Sequence, residues 1–488
     1  MKMHRSLNLP GCAQVRRTPI FPGGIAVILA FVQVLVACTR SEAAVAKPAA
    51  EPAPLSEAAA AKPVPLVDEA NPGPSTSKGQ VFASPDSAVP SVAGHDVGCG
   101  TDEDYYDSDF CLPGNCCSPW LHHQLYFKAD YLVWWTQGMA VPPLVTTSTD
   151  TTNQAGLGVL GQPDTQVLFG GPHMNSGADS GARLSLGYWL SPCCDLALEA
   201  SYLTLGRQST PFDRASNNSG DPLLARPFYN VQPTELDQNR APRQDSSILS
   251  TNGIPTGQIA TGHVHAEVAS EFHLFDVLIR RPIFLMPDCH IDFLTGYRFA
   301  NLDDRVLVSD ATNVADLSLA ISSSDRFHTQ NQFNGAVIGF ATERRVCRWT
   351  LGTSLKLALG NTHSLTEIAG QTIQNNGTPM AGGLLALSTN SGPHDDNRFS
   401  MLPELGVTLG YNLTRQFRMN FGYSMMYWSS VARAGDQIDV NVNPNLLPAP
   451  ASTRPVPSQY LTPPRPEFNL KTTDYWAQGM NVGIEYVF

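Results

Sequence analysis

The segment Met480-Asn481-Val482-Gly483-Ile484-Glu485-Tyr486-Val487-Phe488 ends the chain and alternates between two kinds of side chain. One face carries the apolar residues Phe488, Tyr486, Ile484, Val482 and Met480. The opposite face is mostly small or polar, with Val487, Glu485, Gly483 and Asn481. Successive side chains of a strand point to opposite faces, so this segment is predicted to be an amphipathic strand. An aromatic carboxyl-terminal residue on such a strand is typical of the closing strand of a bacterial outer-membrane β-barrel.

The same alternation recurs from Leu125 onward, which favours a barrel over an ordinary edge strand. We predict ten strands, at residues 125–135, 182–190, 195–205, 264–281, 290–301, 326–342, 349–360, 399–412, 416–430 and 475–488. Tight turns join them in pairs, and long connections follow at residues 136–181, 206–263, 302–325, 361–398 and 431–474. Short periplasmic turns and long extracellular loops are typical of outer-membrane barrels. The predicted fold class is all-β: a single antiparallel transmembrane outer-membrane β-barrel of about ten strands, with eight to twelve allowed.

The composition agrees with this class. Only 15% of the residues are charged, and glycine and proline are plentiful, as expected for many strands with irregular connections. The formal net charge is -12, and no basic stripe is present, which argues against a nucleic-acid partner. No segment after the amino terminus is apolar enough for a transmembrane helix, so a membrane location would require a closed barrel.

The amino-terminal part divides into three segments ahead of the barrel, which is assigned to residues 121–488. Residues 1–46 resemble an export signal, in which Arg16 and Arg17 precede a short apolar stretch. Two processing sites remain open: cleavage before Cys38 with lipidation of that cysteine, or ordinary cleavage after Ala46. Residues 47–95 are rich in alanine and proline and are predicted to be a disordered linker. Residues 96–120 form an acidic, cysteine-bearing segment.

Eight cysteines lie beyond the signal and suit disulfides in an exported chain. The set is Cys99, Cys111, Cys116, Cys117, Cys193, Cys194, Cys289 and Cys347. The last four fall in short turns, and we expect some bridges on the periplasmic rim. Free thiols are the alternative.

Aromatic residues gather near both ends of the predicted strands. Such rings prefer membrane interfaces, so we expect two aromatic belts on the barrel. The outer belt would contain Trp134, Trp135, Tyr427, Trp428, Tyr475 and Trp476, and the inner belt Trp349 and Phe417.

The alternation also assigns charged side chains to the lumen. Five are basic and five are acidic: Lys128, Arg183, Arg298, Lys356 and Arg418 against Asp130, Glu199, Asp292, Glu404 and Glu485. A selective pore is more often lined by charges of one sign, whereas a balanced set can form paired networks. Ten strands also enclose little space. Both arguments predict a narrow or plugged lumen.

Catalytic and cofactor motifs are weak. Residues 156–161 have the G-x-G-x-x-G spacing, but no strand precedes them and Gln162-Pro163 disfavours a helix, so a glycine-rich loop is the better interpretation. His263, His265 and His273 lie near Ser270 in the sequence and are candidate bases for an outer-membrane lipid hydrolase, but a G-x-S-x-G elbow is absent. We therefore expect no enzyme activity, cofactor or metal.

Several longer stretches resemble one family. They are Tyr126-Phe127-Lys128-Ala129-Asp130-Tyr131-Leu132-Val133-Trp134-Trp135, Pro142-Pro143-Leu144-Val145-Thr146-Thr147, Tyr427-Trp428-Ser429-Ser430-Val431-Ala432-Arg433-Ala434-Gly435-Asp436 and Asp474-Tyr475-Trp476-Ala477-Gln478-Gly479. Together they resemble the putative beta-barrel porin-7 family of outer-membrane proteins over about residues 126–488. The resemblance implies an outer-membrane β-barrel and carries over no binding residue.

Three functions stay open at this level. The first is a structural or surface-exposed barrel with long extracellular loops and a closed lumen. The second is a small-solute pore, and the third, less favoured, is a barrel enzyme acting on lipid. The expected partners are outer-membrane lipid and the barrel-assembly machinery, and the sequence does not identify an extracellular ligand.

Overall fold

The computed structural model describes residues 125–149, 156–190, 196–232, 241–253, 257–286, 288–448 and 460–488. The predicted signal (1–46), linker (47–95) and acidic segment (96–120) lie outside the described residues, as do Cys38, Cys99, Cys111, Cys116, Cys117, Cys193 and Cys194. Within the described residues, no helix has the length and apolar character needed to cross a membrane.

The described chain is built almost entirely of strands. They are β1 (Leu125–Thr136), β2 (Met139–Ser148), β3 (Thr165–Met174), β4 (Ala178–Trp189), β5 (Ala197–Ala215), β6 (Leu224–Asn230), β7 (Arg243–Asn252), β8 (Ile259–Leu285), β9 (Cys289–Val314), β10 (Leu319–Val346), β11 (Trp349–Gln374), β12 (Met380–Ala381), β13 (Gly392–Asn412), β14 (Phe417–Val431), β15 (Asn441–Val442) and β16 (Thr473–Val487). Short 3-10 helices occur at Ala315–Leu317, Ala434–Gln437 and Pro444–Leu446.

Ten of these strands form a closed antiparallel ring. Around the ring the order is β1-β4-β5-β8-β9-β10-β11-β13-β14-β16, and β16 pairs with β1 to close it. Each predicted strand corresponds to one strand of the ring. The predicted count was incomplete, because the sheet has sixteen strands and six of them lie in the connections.

The exterior of the ring carries an apolar band near the tight turns. Phe421, Val482 and Ile338 are each half exposed there, on three different strands. Such a surface cannot face water over a large area, and it suits the hydrocarbon core of a membrane. The face of the carboxyl-terminal strand belongs to this band, with Met480, Val482, Ile484, Tyr486 and Phe488 all exposed.

Strands β8 to β11 continue far beyond this band. The longest, β10, has 28 residues, which corresponds to roughly 90 Å, whereas a membrane needs only about 9–11 residues of a tilted strand. Below Asn334 the outer face of β10 carries Ala336, Ile338 and Phe340. Above it the outward positions are polar: Arg326, His328, Gln330 and Gln332. The upper part of the ring is therefore a solvated wall.

The connections fold into this upper wall. Strands β2, β6 and β7 form a small sheet whose apolar side chains pack against inward residues of β8, β9 and β10. The expected long connection at 302–325 was wrong, because β9 continues to Val314 and β10 begins at Leu319. We call the packed connections the plug: residues 139–149, 156–174, 224–232, 241–252, 384–387 and 432–447.

The tight turns lie at the opposite end of the ring. Cys289 begins β9 and is buried, and Cys347 occupies the β10–β11 turn with a left-handed backbone (φ 57°). Their pairing with the other predicted cysteines stays a prediction, since those residues lie outside the described chain.

Candidate functional site

A network of buried ion pairs crosses the lumen at the level of the apolar band. Arg298 on β9 lies at its centre and is fully buried. Its guanidinium donates two hydrogen bonds to Asp276, both 2.6 Å long, and a third to Glu404. Glu404 also accepts from Arg183 at 3.0 Å, and Lys356 Nζ lies 3.6 Å from Asp276 Oδ2. Five barrel strands, β4, β8, β9, β11 and β13, are thus tied together across the interior.

A second layer lies closer to the tight turns. Glu485 pairs with Lys128 at 3.4 Å and with Arg418 at 3.6 Å, so the closing strand is bound to both neighbours. Arg418 also pairs with Glu343 at 3.0 Å.

The remaining pairs of this second layer are centred on Arg280. Its guanidinium contacts Asp292 directly, and its Nη1 lies 3.6 Å from Glu199. The hydroxyl of Tyr126 donates a 2.5 Å hydrogen bond to Glu199. Every carboxylate in this layer therefore has a cationic partner, which buried charge requires.

The structure thus brings together most of the predicted lumen charges. Nine of the ten take part in ion pairs, and Asp130 lines the cavity among them. Glycine at 483 makes room for it, because a Cβ there would lie 2.0 Å from Asp130 Oδ1. The prediction missed Asp276, Arg280 and Glu343. Asp276 and Arg280 lie on β8, whose side chains alternate less regularly than those of the other strands, and Glu343 falls in the tight turn predicted between residues 342 and 349.

These charges surround a cavity of about 170 Å³. The charged side chains that line the cavity are nearly balanced in sign. Five are basic and four are acidic: Lys128, Arg183, Arg280, Lys356 and Arg418 against Asp130, Glu199, Glu343 and Glu485. Serine, threonine and glycine complete the lining. A cavity of this size holds a few water molecules, and the paired charges leave no surface of a single sign.

An aromatic layer lies in the lumen above this cavity. Trp134, Phe272, Phe333, Trp428 and Tyr475 point inward, and none is more than 2% exposed. Phe272 lies 5.6 Å from Tyr475, and Phe333 lies 6.0 Å from Trp428, measured between ring centroids. The indole N–H groups are satisfied within the barrel: Trp134 donates to Asn481 at 2.7 Å and Trp428 to Thr362 at 2.9 Å.

This layer corrects the predicted outer belt. Trp134, Trp428 and Tyr475 lie inside the barrel, and only Trp135, Tyr427 and Trp476 occupy outward positions. The alternation in the sequence already indicates the inward position of Trp134, because this residue lies on the same face of the strand as Lys128 and Asp130. At the other end, Trp349 is 51% exposed, and Phe417 has an outward position.

Buried ion pairs also hold the plug. Arg226 on β6 is 1% exposed and donates to Asp310 at 2.8 Å and to Asp325 at 2.6 Å. Asp325 additionally accepts from the backbone N–H groups of residues 384–386. Arg433 donates to Asp304 at 2.5 Å, at the boundary between the plug and the aromatic layer. Three aspartates on the inner face of β9 and β10 therefore anchor separate parts of the plug.

A further carboxylate stabilises the connection between β14 and β16. Burial alone would raise the pKa of Asp439. Hydrogen bonds from the backbone N–H groups of Glu467 and Asn441, together with Arg465, outweigh this effect and lower the pKa of Asp439 below its ordinary value. The carboxylate is thus held in its charged form.

The histidines and serine considered for catalysis do not form a triad. His263 and His265 both contact Asp213, at 3.1 and 3.2 Å, on the outer wall. Ser270 instead donates to Asp304 at 2.5 Å. Residues 156–161 form turns before β3 inside the plug, with no following helix. Among the described residues, no group of three or more histidine, cysteine or acidic side chains could hold a metal ion.

Comparisons with known proteins give several solved structures of low similarity and one matching family. The chain resembles, at low identity, OmpT of Vibrio cholerae (8% identity, 75% of this chain and 97% of that chain, TM-score 0.16). It also resembles a Pseudomonas aeruginosa FadL homologue (7% identity, 75% of this chain and 91% of that chain, TM-score 0.19). A third similar structure is the Pseudomonas putida toluene transporter TodX (8% identity, 75% of this chain and 90% of that chain, TM-score 0.17). These scores are too low to carry an argument about function, and no curated protein matches. The family model of Putative beta barrel porin-7 matches residues 126–488, so the chain belongs to this family and is a β-barrel protein of the outer membrane.

Proposed function

We propose that this protein is a closed outer-membrane barrel that acts through its extracellular surface and not as a pore. The main support for this proposal is the aromatic layer, in which five inward side chains are almost completely buried. A hydrated path must pass this layer, and close packing of aromatic rings leaves no room for one. The plug then fills the interior above the layer, so two independent barriers separate the cavity from the extracellular side.

The charges below the layer support the same proposal. Removing a partner from a buried pair costs about 3–5 kcal/mol, so charges that are paired across a lumen strongly resist displacement by a passing solute. The pairs join opposite strands, as between Arg183 on β4 and Glu404 on β13. Ion pairs of this kind brace the wall of a narrow barrel.

A small-solute pore is the competing function. The cavity of about 170 Å³ is its one favourable observation. Conduction would require the aromatic layer and the plug to move together. The proposal includes no enzymatic activity. It includes outer-membrane lipid as the partner of the apolar band and the barrel-assembly machinery as the partner during insertion.

Single-channel conductance in a planar bilayer tests the proposal. The folded state is first verified by heat-shifted gel mobility. We expect no discrete current steps from the wild-type protein, and steady steps would overturn the proposal.

A pair of tryptophan variants locates the barrier. Trp428→Ala removes an inward ring of the layer, whereas Trp476→Ala removes a tryptophan from an outward position on the neighbouring strand. We expect brief openings only from W428A. Equal behaviour of the two variants would show that the aromatic layer is not the closing element.

A further inference from the structure

A groove of about 470 Å³ lies at the extracellular tip of the solvated wall. We call it the rim groove and define it by Asn218, Thr261, Asn313, Ala320, Ser322 and Asn376. It crosses the ends of β8, β9, β10 and β11, and its volume lies within the range typical of ligand pockets. Neither the charge network nor the plug uses these residues.

The lining combines polar side chains with alanine and isoleucine and is almost uncharged. Among the described residues that line the rim groove, none is aspartate, glutamate, lysine or arginine. Its single titratable side chain, His263, is engaged by Asp213 outside the groove. A site for phosphate, carboxylate or a metal ion needs complementary charge or strong anionic ligands, so this lining disfavours ionic ligands. Amide and hydroxyl groups instead both donate and accept hydrogen bonds, as sugar hydroxyls require.

The floor of the groove includes small side chains of β9 and β10. Ala311 pairs with Ser322 and with His263, and Asn313 pairs with Ala320, so Ala311 and Ala320 are diagonal neighbours on adjacent strands. A saccharide ring presents an apolar C–H face and a periphery of hydroxyls. The alanine floor matches the face, and the surrounding amides and hydroxyls match the periphery.

The walls of the groove are fixed by hydrogen bonds. Ser216 Oγ accepts from the backbone N–H of Gly262 at 2.9 Å, which holds the connection after β5 against β8. On the other side, Asn375 Oδ1 accepts from the backbone N–H of Ala320 at 2.8 Å, and Asn376 adopts a left-handed backbone conformation (φ 55°). A groove whose walls are already ordered loses less entropy when it binds a ligand.

We propose that the rim groove binds a neutral saccharide at the cell surface. This inference rests on the proposed function, because it names the ligand class of a surface-recognition barrel. A peptide fits less well. The two central strands under the groove, β9 and β10, are each paired on both sides, which leaves no edge there for an added strand.

A printed array of neutral, sialylated and sulfated oligosaccharides tests the inference. The full-length protein is applied in lauryldimethylamine oxide, since detergents with sugar headgroups would compete. We expect retention on neutral glycans and at least tenfold weaker binding by Ala311→Trp, which fills the floor. Gln330→Trp is the matched control, on an outward position of the same wall outside the groove, and should bind like the wild type. Asn313→Ala should weaken binding several-fold without adding bulk.

The outcomes separate this inference from the proposed function. No retention on neutral glycans, retention on charged glycans alone, or equal binding by A311W and Q330W would overturn the saccharide site. Heat-shifted mobility of each variant ensures that loss of binding does not reflect misfolding. Conductance is measured on the same preparation. Current steps from a protein that binds glycans would overturn only the closed lumen, and a silent protein without glycan binding would overturn only the rim groove.

Discussion

Replacing Arg298 with methionine should destabilise the barrel far more than any replacement of a surface arginine. The side chain is fully buried and donates two hydrogen bonds to Asp276 and one to Glu404. Methionine fills much of the volume but leaves both carboxylates with fewer partners. Breaking a buried pair in this way costs about 3–5 kcal/mol. We expect a cost of about 3 kcal/mol, near the lower limit of that range, because Lys356 remains 3.6 Å from Asp276.

The assay is urea-induced unfolding of the protein in lipid vesicles, followed by tryptophan fluorescence and heat-shifted mobility. The matched control is Arg207→Met, because Arg207 is half exposed and pairs with Glu267 at 2.8 Å on the outer wall. Such exposed pairs contribute less than about 1 kcal/mol. Adding Asp276→Asn to R298M should restore about 1–2 kcal/mol by removing an uncompensated charge. Equal unfolding midpoints for R298M and R207M would refute the reasoning.

Three further predictions concern the exterior, the plug and pH. Val482→Arg places a charge on the lipid-facing band and should cost roughly 2–4 kcal/mol, seen as a lower urea midpoint; an unchanged midpoint would contradict a lipid-facing position. Asp325→Asn leaves Arg226 with one carboxylate and should speed proteolysis of the plug while the heat shift persists, whereas an unchanged cleavage rate would contradict the anchoring role. Because the pKa of Asp439 is lowered in the folded state, its charged carboxylate stabilises the β14–β16 connection above about pH 4. This stabilisation is lost as the pH falls through the folded-state pKa. Proteolysis of that connection should therefore increase in acid, and Asp439→Asn should show the acid rate at pH 7; a pH-independent rate would argue against it.

The lumen has two chemically distinct levels with different roles. Paired charges brace the wall within the membrane, and we propose that aromatic packing closes the path at its outer edge. Buried ion pairs alone contribute little net stability, since desolvation offsets much of their attraction. Their value here lies in specificity: a register shift of one residue on any strand would turn its charges toward lipid. The network therefore helps to select one alignment of the ring.

Several features of the fold follow from local pattern. Alternation of period two identified every strand of the ring and the lipid-facing side of the last strand, because each strand must separate lipid from lumen along its length. The same alternation identified most of the lumen charges. The alternation also predicts that Trp134 points inward, in phase with Lys128 and Asp130. The clustering of aromatic residues at strand ends instead suggested an outer belt, and this suggestion was wrong for Trp134.

Only the tertiary structure decided what fills the barrel. Strands β8 to β11 extend beyond the membrane with a polar exterior, and their inner faces bury apolar residues from distant connections. Local pattern cannot show this, since the partners are far apart in sequence: Arg226 and Asp325 are separated by 99 residues. Likewise, the rim groove exists only because four strand ends meet at one edge. The alternating sequence by itself determined the closed ring and its two faces, whereas the plug, the aromatic layer and the groove depend on long-range packing that no short segment encodes.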